Sequence, residues 1–313
     1  MSDFQIKNFG DHRVLYIGEK QYTTVYSQKV IEKIIERKGV GRAPQYLTHR
    51  DERSRFLFPL FRYCAKEGLR DLRVLEVGCS SGHITEYLNQ QPVVGEIYTY
   101  DVDPLFVEIT RIKKEELRLE KVVSVDCFSN EQTRSLPYPD GFFDIIIVLA
   151  VVEHLPFENR YLYVDSYYKK LKKGGLIGFF DTPNRYFPIE THSIGLPFVH
   201  WLPPQIAYTY ARLFRKAKGS FTSFTRTGNG WKNATYYECT PRTCMMDVED
   251  ISEDVGYGYH FFINDLRTVK AKITKPFFVM MRFLSQIMRV PTSFFLPSLE
   301  LVFRKKHDYE TGE

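Results

Sequence analysis

The chain has 313 residues, 43% of them hydrophobic, and a formal net charge of +5. That length supplies one large domain or a domain with sizeable additions, and so small an excess of charge argues against a nucleic-acid-coating protein. The five cysteines, Cys64, Cys79, Cys127, Cys239 and Cys244, form no CxxC pair and no metal-ligand spacing. They read as reduced thiols of a cytoplasmic protein. The opening MSDFQIKNFGDHR lacks the apolar core of a secretory signal, and no run reaches the roughly 18 apolar residues of a spanning helix.

Residues 1–70 read as a helical N-terminal extension that packs over a ligand cleft. TVYSQKVIEKIIERKG (24–39) has helical period, and so does the stretch from Thr48 to Glu67. Thr48 is the expected N-cap of that stretch, with Asp51 three residues on as an acidic variant of the capping box.

RVLEVGCSSGHITEYL (73–88) comes next. Its apolar run (Val74, Leu75, Val77) leads into Gly78, Ser80 and Gly82 and then a helical segment, the pattern of strand, tight turn and helix. The glycines allow close backbone approach to a ligand, at the carboxyl end of a strand where open α/β sheets bind. Glu76 at the strand tip would repel a pyrophosphate and suits a cationic ligand. YTYDVDP (98–104) ends a second strand at Asp101, where a carboxylate can accept both hydroxyls of a ribose. VVSVD (122–126) ends a third at Asp126, FDIIIVLAVV (143–152) is a buried parallel fourth, and GLIGFFDT (175–182) is the fifth. No third glycine follows Gly82, so the dinucleotide fingerprint is absent, which counts against a dehydrogenase of the same architecture.

LEVGCSSGHIT, YTYDVDP, LPYPDGFFDIIIVLAVVEHLP and KKGGLIGFFDTPNR together resemble the class I S-adenosylmethionine-dependent methyltransferases, and SLELVFRKK (298–306) fits their closing strand. The resemblance implies an α/β fold with a Rossmann-like seven-stranded sheet, and S-adenosylmethionine as cofactor. It implies that Glu76 helps hold the methionine end, that Gly78, Cys79, Ser80 and Gly82 form the turn against the cofactor, and that Asp101 takes the ribose, with Val102 beside it among the cofactor-binding residues. Asp126 would take the adenine amino group, with Cys127 also among the cofactor-binding residues, and Leu149 would line the methionine side. Ser80 departs from the family, where glycine is usual. The expected organisation is a cofactor core at 71–182, an acceptor-site insertion at 183–240, completion of the core at 241–306 and a polar tail at 307–313.

The insertion holds Glu190, His192 and His200 near the end of the fifth strand. Glu190 and His192 are two apart and face the same way on an extended segment. Glu190 then either orients His192 as a general base or joins it in holding a metal; His200, beside Trp201, reads as packing. This stretch resembles bacterial polysaccharide- and glycan-associated methyltransferases. That implies O-methylation of a sugar, glycan or lipid-linked hydroxyl, with base assistance of about 10²–10⁴-fold from His192. VVEHLP (151–156) resembles ubiquinone-biosynthesis O-methyltransferases, whose Glu-His pair and an earlier glutamate hold a divalent metal. Here Ala150 stands in the earlier position, so no metal is assigned. A quinone-like or other small aromatic acceptor is the alternative, and a non-catalytic cofactor-binding subunit is the alternative of another class. The [DN]PP[YF] signature of nucleobase amino-methylation is absent after the fourth strand.

TCMMDVEDISEDVGYGYHFFI (243–263) reads as helix followed by strand. Beyond it, Arg282, Ser285, Gln286 and Arg289 share one polar face of an otherwise apolar helix over 275–290. Such a helix lies in a membrane interface or packs on the domain or on a second subunit. No oligomeric state is assigned.

Overall fold

The computed structural model describes residues 4–48, 53–190, 194–214, 216, 220–221, 233–242, 247–257, 261, 270–290 and 292–307. The chain divides into two compact units, Met1–Gln132 and Thr133–Glu313.

The first unit opens with an antiparallel meander, β1 (Phe4–Asn8), β2 (Arg13–Ile17) and β3 (Lys20–Thr24), so the N-terminal extension is not wholly helical. Two helices follow, α1 (Gln28–Lys38) and α2 (Ala43–Thr48). Ser27 caps α1 by accepting the amide of Val30. Thr48 closes α2 instead of opening a helix; its Oγ1 donates to the Pro44 carbonyl at 2.9 Å. Asp51 lies outside the described residues. The next long helix, α3 (Phe58–Lys66), begins where Pro59 can sit, because proline fits the first turn of a helix and no later one.

The remainder of this unit alternates strand and helix: β4 (Leu72–Val77), α4 (His83–Asn89), β5 (Val94–Asp101), α5 (Pro104–Glu116) and β6 (Val122–Cys127). β4, β5 and β6 are parallel. Asp103 caps α5, accepting from the Leu105 amide at 3.0 Å, and Arg37 of α1 pairs with it. Leu15, Val30, Ile31, Ile34, Leu47, Phe106, Ile109 and Ile112 belong to one buried cluster, which binds the meander and α1–α2 to α5.

The second unit holds β7 (Phe143–Leu149), α6 (Arg160–Lys170), β8 (Leu171–Pro183), α7 (Pro204–Leu213), β9 (Val248–Asp250), α8 (Ser252–Val255), α9 (Lys270–Met288) and β10 (Ser298–Lys305). β7 and β8 run parallel, and β10 pairs antiparallel with both β8 and β9. The sheet has seven strands in the order β6-β5-β4-β7-β8-β10-β9, the mixed Rossmann-like sheet expected. β7 ends at Leu149, three residues earlier than its apolar run, because Ala150 turns to a positive φ of 53°. α6 ends on Lys169 and Lys170, cations that suit a helix carboxyl end. In the 243–263 segment the order is reversed: the strand β9 precedes the helix α8. Residues 243–246, 258–260 and 262–263 of that reading lie outside the described residues.

Candidate functional site

Nine of the residues singled out by sequence lie at the carboxyl ends of β4, β5 and β6, all in the first unit. The register sets Val77 beside Tyr100, Tyr100 beside Asp126, and Asp101 beside Cys127. The amides of Gly78 and Cys79 both donate to the Tyr100 carbonyl, at 3.0 and 2.9 Å, and the Gly82 amide donates to the Cys79 carbonyl at 2.8 Å. These bonds pin the turn to β5. Gly82 has φ 78°, and a β-carbon there would stand 3.1 Å from Thr110 Oγ1 of α5, so both backbone and neighbour demand glycine. Ser80 also sits at positive φ, 47°, which explains why glycine suits this position. Such a conformation costs an L-residue about 1–2 kcal/mol. The Ser80 amide is held by Asp101 Oδ2 at 2.9 Å.

Asp101 accepts that amide on one oxygen and the Asp103 amide on the other, at 3.0 Å. Burial pushes its carboxyl above the usual range, and the charge of Asp103 adds to this. Glu76 is 3% exposed and accepts from Thr85 Oγ1 at 2.6 Å. Burial raises its pKa to about 7; the Thr85 bond opposes the rise, and the charge of Asp101 reinforces it. Burial, followed by Glu76 and Asp101, also lifts the Cys79 thiol well above its ordinary value, so it stays neutral. Asp126 accepts from Ser124 Oγ at 2.8 Å and is half-buried, while Val102 and Cys127 are exposed. A buried and a half-buried acid, served by hydroxyl and amide donors, fit a ligand that carries positive charge and a diol.

Sequence reasoning missed the residues that support this turn. Thr85, fully buried on α4, gave no signal beyond helical period. Lys113 and Glu86, both buried, form an ion pair at 2.9 Å. Tyr26 donates to Glu86 Oε1 at 2.8 Å, and Lys113 Nζ lies 3.7 Å from the Tyr26 ring centre. His83, next after Gly82, donates from Nε2 to the Tyr46 carbonyl at 2.7 Å, with Nδ1 3.3 Å from the Tyr26 hydroxyl. The N-terminal extension thus grips the helix that leaves the glycine turn. A cleft of about 410 Å³ in this unit, lined by Phe58, Phe61, Arg62 and Tyr87 among others, contains none of the site residues.

In the second unit Leu149 is the buried last residue of β7. Glu190 is fully buried and its Oε2 accepts the amides of Ile194 and Gly195, at 2.6 and 3.3 Å. His192 lies outside the described residues. His200 is buried, donates from Nε2 to the Phe187 carbonyl at 2.7 Å and meets Trp201 edge-on. Burial lowers its pKa, which keeps it neutral. Glu153 is buried, and exposed His154 stands 4.0 Å from it. Among the described residues no three His, Cys, Asp or Glu side chains are grouped to hold a metal ion.

Residues 75–179 match the family described as "Methyltransferase domain". The chain is similar to a ubiquinone biosynthesis O-methyltransferase of Histophilus somni, 27% identical over 153 residues, covering 48% of this chain and 62% of that one. A protein of the same name from Nitrosococcus oceani is 28% identical over 147 residues, covering 47% and 58%. The chain therefore spans about three-fifths of the length of the curated relatives it matches. The crystal structure of a SAM-dependent methyltransferase from Aquifex aeolicus is similar at 19% identity and a TM-score of 0.37, over 58% of this chain and 87% of that one.

Proposed function

The chain carries a class I methyltransferase domain, whose cofactor is S-adenosylmethionine, and from that premise we propose that it is an O-methyltransferase acting on a hydroxyl of a quinone-like or other small aromatic molecule. The observation that carries the methyl-transfer reading is the joining of the glycine turn, Glu76 and Asp101 at adjacent strand ends. When bound, the cofactor supplies an activated methyl group on a cationic sulfur. Asp101 accepts the ribose hydroxyls and Glu76 meets positive charge at the methionine end. Gly78, Cys79, Ser80 and Gly82 give the backbone its close approach. Val102, Asp126 and Cys127 stand beside them at the same strand ends. His192, oriented by Glu190, takes the proton of the acceptor hydroxyl.

The aromatic acceptor is favoured by the two relatives named for ubiquinone biosynthesis. The second reading, a sugar, glycan or lipid-linked hydroxyl, rests on the Glu190–His192 segment after β8. No described helix is long and apolar enough to cross a membrane. Labelled-methyl transfer onto a cell extract, partitioned between organic solvent and water, tests the acceptor. Label in the organic phase that co-migrates with an aromatic product is expected. Label confined to water-soluble sugars overturns the aromatic reading in favour of the second. Cofactor binding with no transfer to any fraction overturns both in favour of a non-catalytic subunit.

A further inference from the structure

α9 leaves large apolar side chains exposed. Ser285, on the polar face, is 4% exposed and donates to the Val290 carbonyl at 2.6 Å. Val279, Met280, Phe283, Ile287 and Met288 are instead 48–61% exposed. Of the other polar residues, Arg282 and Gln286 are exposed, as is Arg289 just past the helix end, so Ser285 alone of that set is turned inward and the arginines stand in water beside the apolar side chains. An apolar stripe of this width ordinarily faces a core. The same unit holds a second case: α7 buries Ala207 and Ala211 and leaves Ile206, Leu213 and the following Phe214 at 55%, 76% and 57% exposure.

Charge identifies what covers α9. Between Asp265 and Glu300 the sequence has no acid and six cations, Arg267, Lys270, Lys272, Lys275, Arg282 and Arg289. The whole chain carries +5, so with +6 in this stretch the remainder sums to −1. The basic balance of the protein is thus confined to the segment that also exposes its apolar side chains. A nucleic acid would use the cations and leave the apolar stripe in water. An apolar protein groove would use the stripe and leave the cations uncompensated. An anionic bilayer surface takes both, with side chains in the acyl boundary and arginines among the phosphates.

We propose that the 270–290 segment docks in the plane of an anionic lipid surface, through Val279, Met280, Phe283, Ile287 and Met288, with Arg282 and Arg289 at the headgroups. The proposal does not depend on which acceptor is methylated, because vesicle binding is read without turnover.

The test is co-sedimentation of the full chain with vesicles of phosphatidylcholine alone and of equimolar phosphatidylcholine and phosphatidylglycerol. Binding to the anionic vesicles that falls with salt is expected. Phe283→Glu together with Ile287→Glu should weaken it at least about tenfold, because two partly buried apolar groups are lost. Arg282→Gln should weaken it about fivefold. Each variant should keep the wild-type affinity for S-adenosylhomocysteine, which reports an intact fold. Absence of binding to anionic vesicles, equal binding to both vesicle types, or binding unaffected by the Glu pair overturns the proposal. So does a wild-type dimer in solution that the Glu pair dissociates, since the face would then be covered by a second copy.

Discussion

Replacing Glu76 by Gln separates what this carboxyl does for the fold from what it does for the cofactor. The side chain is 3% exposed and titrates near 7 in place of its ordinary 4.5. The folded protein therefore holds the proton more tightly than the unfolded chain, and keeping the carboxylate ionised in the fold costs stability. That cost is absent below about pH 4.5, grows as the pH rises to 7 and is complete above it; the difference between the two pKa values corresponds to about 3 kcal/mol. Gln can accept the same Thr85 bond without the charge. The unliganded Glu76→Gln protein should thus be more stable than wild type at about pH 8, by up to about 3 kcal/mol, with the advantage vanishing toward pH 4.5. The cofactor responds in the opposite sense. A cationic ligand binds the ionised carboxyl, so wild-type affinity should fall about tenfold one pH unit below 7, whereas the Gln variant binds weakly and with little dependence on pH. Urea unfolding without ligand and calorimetric titration across that pH range measure both effects. A Gln variant less stable than wild type at pH 8, or wild-type affinity flat from pH 6 to 8, would refute the reasoning.

The other predictions concern the supports of the turn. Gly82→Ala should destabilise the protein by at least about 1–2 kcal/mol from its φ of 78° alone. Adding Thr110→Ala should recover only the steric part, since a β-carbon would meet Thr110 Oγ1 at 3.1 Å; full recovery in urea unfolding would contradict this. Lys113→Met leaves buried Glu86 without its cation and should cost about 3–5 kcal/mol. Lys113→Met combined with Glu86→Leu should regain most of the loss, and a double variant no better than the single one would show that the pair is not what matters.

The cluster at the strand ends was legible because its signals are local. The apolar runs of β4 to β7, the glycines at 78 and 82 and the acids at strand tips all sit within a few residues of the feature they mark. Signals that depend on distant partners were not legible. Thr48 matched a capping pattern, yet its hydroxyl bonds back to Pro44 at the end of α2. The strands FQIKN, RVLYI and KQYTT are short and half polar, and β1 is largely exposed, so period-two alternation gave little to read. Glu190 accepts the Ile194 and Gly195 amides, bonds that nothing in the local pattern announces. A buried carboxylate takes whatever donors the fold brings, and the sequence does not say which. In α9 the period groups Ser285 with Arg282, Gln286 and Arg289, but Ser285 alone of the four is buried, through its bond to the Val290 carbonyl.

The most direct test of the account compares binding and turnover of labelled S-adenosylmethionine by wild type, Asp101→Ala and His192→Ala, with cell extract as acceptor. The account predicts transfer by wild type and loss of cofactor binding in Asp101→Ala. It predicts normal binding in His192→Ala with turnover reduced about 10²–10⁴-fold. Wild-type protein that binds the cofactor and transfers nothing, or Asp101→Ala that binds as tightly as wild type, would contradict it.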